Sequence, residues 1–176
     1  IGRFVENIQK SISDIEDVVY FWKTDIAVKD KLNAKTYVRG KGDITFEDIT
    51  FGYKDQGDPL YTDFSIHVRP GEKVALVGHS GSGKSTFVKL LQRLHDVQDG
   101  VIRIDDQNIA DVTQSSLRQA IALVPQDPVL FHRTLADNIA YAKPEASRDE
   151  IIAAAKKAYA HDFIEGLPQG YNTLVG

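Results

Sequence analysis

Lys73-Val74-Ala75-Leu76-Val77-Gly78-His79-Ser80-Gly81-Ser82-Gly83-Lys84-Ser85-Thr86-Phe87-Val88-Lys89-Leu90-Leu91 is the stretch whose reading decides the fold. Residues 78–85 match G-x-x-x-x-G-K-[ST], the phosphate-binding P-loop. Lys73–Val77 has strand character, and Phe87, Val88, Leu90, Leu91 and Leu94 recur at helical spacing. Strand, glycine loop and helix together make the motif a candidate site. Gly78, Gly81 and Gly83 open backbone conformations closed to other residues. Successive N–H groups can then face inward onto phosphate oxygens. A helix beginning near Lys84 adds its unpaired N–H groups and positive dipole end. In such loops the lysine, here Lys84, reaches the β- and γ-phosphates, and the hydroxyl, here Ser85, ligates Mg²⁺.

Working outward, the 176-residue chain suffices for one sizeable domain or part of a larger one. It is 42% hydrophobic and 26% charged, as a soluble globular protein is. A net charge of −4 gives no basic excess for a nucleic-acid partner. Cysteine is absent, which excludes disulfides and thiolate metal sites and fits a reducing compartment. No run of about 20 apolar residues reads as a membrane span. Arg3, Glu6 and Lys10 break any signal-peptide core.

Residues 1 to about 23 read as an amphipathic helix, with Phe4, Ile8, Ile12, Ile15, Val19 and Trp22 on one stripe. That stripe either packs on its own domain or continues into, or docks on, another helix. Thr24 to Lys41 is polar and reads as a linker without an obvious partner. Strands follow: Ile44 and Phe46, then Ile49 and Phe51 with a shift of face, and Phe64, Ile66 and Val68 in alternation. Arg69-Pro70-Gly71-Glu72 has the residue types of a type II turn. Gly100 is expected to break the chain before a strand at Val101–Ile104. Thr113–Gln119 reads as a short helix, and Ala120–Val124 as a strand buried on both faces. Thr134–Tyr141 is helical in character. Ser147-Arg148-Asp149-Glu150 is a capping box opening a helix to about Tyr159. Phe163–Gly176 is weakly patterned.

Gln126 follows the apolar run in Val124-Pro125-Gln126-Asp127. Ligands of α/β sheets sit beyond the carboxyl ends of strands. There an amide can ligate Mg²⁺ or hold a water near a γ-phosphate; a polar loop residue is the equal alternative. Tyr53 can stack on a base or simply cover the core from a strand end. His67, His79, His95, His132 and His161 show no metal-ligand spacing. Asp105-Asp106 reads as a solvated turn.

Together these segments resemble the nucleotide-binding domain of exporter-type ABC transporters. The resemblance runs through Phe51-Gly52-Tyr53, Asp63-Phe64-Ser65-Ile66, Arg69-Pro70-Gly71-Glu72, the P-loop to Thr86, Ser116-Leu117-Arg118, Val124-Pro125-Gln126-Asp127, Leu130-Phe131, Asp137-Asn138-Ile139 and Leu167-Pro168-Gln169-Gly170-Tyr171. It covers nearly everything from Gly42 to Gly176. It implies an α/β fold: a P-loop NTPase core with an antiparallel β side-sheet and the start of a helical subdomain, preceded by the amphipathic N-terminal helix. Residues 1–41 would be a connector from a transmembrane domain. Residues 42–176 would be a partial nucleotide-binding domain, with its core at about 42–128 and the helical part from about 129.

By the same resemblance, Tyr53 stacks on adenine. Gly78, His79, Ser80, Gly81, Ser82, Gly83, Lys84, Ser85 and Thr86 form the Walker A loop. Gln126 is the Q-loop glutamine, contacting Mg²⁺ and the hydrolytic water, so Lys84 and Gln126 are the expected catalytic groups. His79 stands at a variable position. Asp105-Asp106-Gln107 departs from the family's Asp-Gly, with only a local change of turn expected. The cofactors implied are ATP and Mg²⁺. The partners implied are a transmembrane domain of the same transporter and a second nucleotide-binding domain in a head-to-tail dimer, at the cytoplasmic face of a membrane. The family's signature motif, Walker B acids and switch histidine are not in this sequence, so a longer exporter is expected to supply them for ATP hydrolysis. The rivals are a non-catalytic nucleotide-binding module, which binds without turnover, and an unrelated P-loop kinase or GTPase, which leaves Tyr53 and Val124–Asp127 unexplained.

Overall fold

A computed structural model describes residues 12, 15–16, 18–20, 22–54 and 57–176. The chain divides into two compact units, one up to Ala122 and one from Leu123 to Gly176.

The first unit is built on an antiparallel sheet in the order β2-β1-β3-β4, with β1 at Ile44–Phe51, β2 at Tyr61–Val68, β3 at Asp99–Ile104 and β4 at Gln107–Asn108. The shift of face expected in β1 is present. Phe46, Ile49 and Phe51 are all buried, although strict alternation cannot place positions 46 and 49 on one face. Asp48, at φ 47°, absorbs the extra residue, and the register slips between Phe46 and Ile49. Gly100 lies inside β3 at this bulge rather than ahead of the strand. Its φ is +82°, and a Cβ there would sit 2.4 Å from the Glu47 carbonyl oxygen, so the two backbones meet where no side chain fits.

Helix α1, Lys84–Leu91, lies on this sheet. Phe87 stacks on Phe46 at 4.4 Å between ring centroids, and Phe64 meets both rings edge-on. Leu90, Ile102, Ile104, Ile109, Val112 and Leu117 complete the core, the last from α2, Gln114–Ala120. Each such side chain contributes about 1.5–3 kcal/mol by leaving water. The Arg69–Glu72 turn closes as expected, with the Glu72 N–H donating to the Arg69 carbonyl at 3.0 Å and Gly71 at φ 75°.

Three expectations are corrected. First, Lys73–Val77 and Ala120–Val124 form no ladder among the described residues. Ala120 ends α2, and residues 121–124 join no strand. Val77 is 92% and Val124 90% exposed. Their apolar side chains mark strand character, but neither segment has a hydrogen-bonding neighbour to complete it, and the core sits on the antiparallel sheet instead.

Second, the stretch read as a linker is anchored. Lys35 bridges Val112 in parallel, and Tyr37 is buried. Arg93, only 2% exposed, donates to the Lys29 and Val112 carbonyls and pairs with Asp30 and Asp96. Third, Asp105 is a hub rather than a solvated turn. Its carboxylate accepts from the Tyr37 hydroxyl at 2.7 Å and from the backbone N–H groups of Gly40, Gly42 and Asp43.

In the second unit, α3 (Leu135–Ile139) is capped by Thr134, whose hydroxyl oxygen accepts from the Asp137 N–H. The expected capping box opens α4, Arg148–Lys157, with both of its bonds between Ser147 and Glu150 present. The weakly patterned tail folds into α5, His161–Glu165, and a strand β6, Leu174–Val175, paired with β5, Arg133–Thr134. Tyr171 fills the core beside Ile151, Ala155 and Ile164, under the Arg148 guanidinium at 4.5 Å. Its hydroxyl meets His161 Nδ1 at 2.9 Å.

The described residues between 12 and 23 are helical, and Ile12, Ile15, Val19 and Trp22 are exposed; Phe4 and Ile8 lie outside the described residues. Among the described residues, no helix is long and apolar enough to cross a membrane.

Candidate nucleotide-binding site

The P-loop enters α1 through Gly81 at φ 83° and Gly83 at φ 91°, the latter being the N-cap. Both values belong to the left-handed region, which glycine reaches without strain. Because Gly83 has no side chain, the first N–H groups of α1 receive no side-chain cap. Helix starts of this kind present free donors and a positive dipole end.

Lys84 folds back over the loop. Its Nζ donates to the carbonyls of Gly78 at 2.8 Å and His79 at 2.7 Å, and lies 3.4 Å from Ser82 Oγ. The ammonium therefore sits at the mouth of the glycine turn, held by neutral acceptors only. An anion entering there meets a positive charge with no carboxylate to displace. His79 Nδ1 lies 2.8 Å from the Ser80 carbonyl oxygen, and Ser80 itself is exposed. The Ser85 side chain is exposed on the first turn of α1, whereas Thr86 is buried.

Tyr53 is brought to this turn from the end of β1. Its hydroxyl lies 3.0 Å from Thr86 Oγ1, and its ring packs edge-on against Phe51 and His95. Lys89 Nζ lies 5.8 Å from the ring centroid. Tyr53 thus covers the core and also contacts the P-loop helix, while lining an open cavity of about 300 Å³ with Gly52, Lys54, Pro59 and Gln98.

Gln126 belongs to the second unit, where it is exposed and makes no side-chain hydrogen bond among the described residues. Among the described residues, no cluster of His, Asp and Glu could hold a metal ion. A hydroxyl beside a phosphate cradle instead suits Mg²⁺, which binds by few protein oxygens together with substrate phosphates.

Sequence reasoning missed Tyr61, Arg93 and Asp105. Tyr61 donates to the Gly83 carbonyl at 2.8 Å, a contact that no spacing reveals. Arg93 lies past the end of α1 in a left-handed backbone conformation, at φ 49°, so helical spacing does not reach it. Asp105 reaches partners more than 60 residues away, beyond local pattern.

The ABC transporter family profile matches residues 61–174. Over 175 residues the chain is 46% identical to human ATP-binding cassette sub-family B member 6, covering 99% of this chain and 21% of that protein. It is 45% identical to an ATM1-type heavy metal exporter of Novosphingobium aromaticivorans, covering 100% of this chain and 29% of the relative. A solved bacterial Atm1-family ABC exporter with ATP bound superposes with a TM-score of 0.82 at 45% identity, over 98% of this chain and 30% of that one. The chain thus spans about a fifth to three tenths of the length of these relatives.

Proposed function

The chain belongs to the ABC transporter family, and from that premise we propose that it binds ATP with Mg²⁺ and, within a longer exporter, takes part in the ATP hydrolysis that drives a substrate across a membrane. The observation that carries this is the Lys84 ammonium, poised over a glycine turn whose helix start has no side-chain cap.

The residues divide the work by their chemistry. Lys84 exchanges its bonds to the Gly78 and His79 carbonyls for phosphate oxygens. Stronger charge-assisted bonds then replace bonds to neutral acceptors. Backbone N–H groups between Gly81 and Ser85 hold the remaining oxygens. Ser85 would hold Mg²⁺ through its hydroxyl, and the ion would supply charge neutralisation for the phosphates. Tyr53 offers its ring to the base. By the family resemblance, Gln126 is the amide expected to contact Mg²⁺ or the attacking water. Phosphoryl transfer depends mostly on such positioning and neutralisation.

The further partners follow from the family: a transmembrane domain of the same transporter and a second nucleotide-binding domain facing the P-loop head to tail, on the cytoplasmic side. The uncovered apolar residues at Val77, Val124, Ile15 and Trp22 are consistent with further protein surface around this chain.

Isothermal titration with MgATP tests the reading. Lys84→Ala removes a charged hydrogen-bond donor and is expected to weaken binding by about 10- to 100-fold. Equal affinity in the variant sinks the assignment. Binding without turnover by the full-length protein favours a nucleotide-binding module instead.

A further inference from the structure

Two tyrosine hydroxyls close on the first turn of α1 from one end of the antiparallel sheet. Tyr53 meets Thr86, as described. Tyr61, the first residue of β2, donates to the carbonyl oxygen of Gly83 at 2.8 Å. The same oxygen accepts the Phe87 N–H at 2.9 Å, the bond that starts the helix. A Cβ on Gly83 would lie 2.8 Å from the Tyr61 hydroxyl, so the phenol fills the space that any other residue's side chain would need. The ring is itself fixed, paired opposite Phe51 in the ladder and lying 5.0 Å from Phe64. Burial, and then the neighbouring Tyr53, push the phenol above its ordinary value, so it stays a proton donor throughout the neutral range.

The consequence lies in the peptide plane. The carbonyl of Gly83 and the N–H of Lys84 belong to one planar peptide and point in opposite directions. Holding the carbonyl toward the sheet therefore aims the N–H away from it. That N–H is among the uncapped donors at the start of α1. A hydrogen bond to the carbonyl also polarises the peptide and strengthens its donor.

Resting on the ATP-binding reading above, we propose that Tyr61 is a positioning residue for phosphate binding: its hydroxyl fixes the Gly83–Lys84 peptide so that the Lys84 N–H faces the incoming phosphate. Tyr61 touches no reacting atom. It acts through Gly83, and it ties the sheet that carries Tyr53 to the turn that carries Lys84. The ligand class is a polyphosphate, and the base is irrelevant to this contact.

The test is isothermal titration of the full 176-residue chain and its Tyr61→Phe variant with MgATP and with inorganic tripolyphosphate. Phenylalanine keeps the ring and removes the hydroxyl. Loss of one neutral hydrogen bond predicts weaker binding by about 3- to 10-fold, equally for both probes. A purely structural hydroxyl lowers the melting temperature and leaves both affinities unchanged, which overturns the proposal. A loss for MgATP alone also overturns it, because the effect then lies at the base. If the wild-type chain binds neither probe, the underlying reading falls and takes this one with it. If Lys84→Ala loses binding and Tyr61→Phe does not, only this proposal falls. Should Tyr61→Phe fail to fold, proton NMR of the wild-type chain decides. The Tyr61 hydroxyl and Lys84 amide protons are expected to shift together on adding tripolyphosphate, and no movement of the hydroxyl proton overturns the assignment.

Discussion

Strand β1 and the stretch Lys73–Val77 are both apolar, both extended in character and only about 20 residues apart, yet they meet opposite fates. In β1, every second or third side chain is buried and both edges are hydrogen-bonded, to β2 and to β3. In Lys73–Val77, no ladder forms among the described residues and Val77 stands in the open. The difference teaches that apolar patterning marks which segments seek burial, while the ladder partner decides which obtain it. Ala120–Val124 repeats the lesson, since its continuous apolar run is what a strand buried on both faces requires.

The comparison breaks most sharply by substitution. Phe46→Ala removes a ring stacked on Phe87 and is expected to cost about 3–5 kcal/mol in urea unfolding. Val77→Ala, at an equally apolar position, is expected to stay within about 0.5 kcal/mol in this chain. Comparable losses at both sites would mean that the exposed stretch is buried in solution.

A smaller effect sharpens the same contrast with polar contacts. Arg93→Met keeps much of the buried volume but leaves the Val112 and Lys29 carbonyls without their donor. Asp30 and Asp96 are partly exposed and regain water. The expected loss is about 1–3 kcal/mol, accompanied by faster amide exchange at Lys35 and Thr113, whose N–H groups donate to the Asp111 and Lys35 carbonyls across the bridge. Unchanged exchange there would show that the strap holds without its arginine.

The smallest effect is electrostatic. Burial, and then the hydrogen bond to Asp105, push Tyr37 up to about 12 from its ordinary 10.0. The unfolded chain therefore releases this proton first. The associated stability is complete below pH 10 and declines as pH rises toward about 12. Burial works against ionisation of Asp105, but donors from Tyr37, Asp43, Gly42 and Gly40 outweigh it and hold the carboxyl below its ordinary value of 3.8. That contribution is present above the ordinary value and is lost as pH falls through the lowered one. Tyr37→Phe is expected to flatten the alkaline limb of stability against pH. A limb unchanged in the variant assigns it to another group.

What could be read from the sequence was local. The P-loop is consecutive, the capping box spans four residues, and the turn at Pro70-Gly71 declares itself by residue type. The face shift in β1 was legible because Phe46 and Ile49 break a period of two. The hidden parts depend on distance in the chain. Asp105 gathers donors from 62 to 68 residues away, and Tyr61 reaches Gly83 across 22. No periodicity encodes such pairings; they exist only once the sheet, residues 37–43 beside it and α1 are assembled. Gln126 was singled out by its place after an apolar run, and that run is not a paired strand here. The tail from about Phe163 hid its fold because the helix His161–Glu165 and the strand Leu174–Val175 are too short to establish a period, and that strand's partner, Arg133–Thr134, lies well upstream.

Arg93 and its neighbours also set a reach. By sequence, Thr24 to Lys41 resembles a slack tether, which fully drawn out would extend about 60 Å. Yet the Thr24 N–H still closes on the Tyr20 carbonyl, and Gln114 already grips the Val28 carbonyl at 3.1 Å. Only Asp25–Ala27 lies between those two anchors, and Thr24 to Val28 spans about 14 Å at most. A pull or twist arriving through the N-terminal helix has almost no slack to take up. It would meet the start of α2 through Gln114 and the residues just past α1 through Arg93, so the stretch is a short coupling rod rather than a leash.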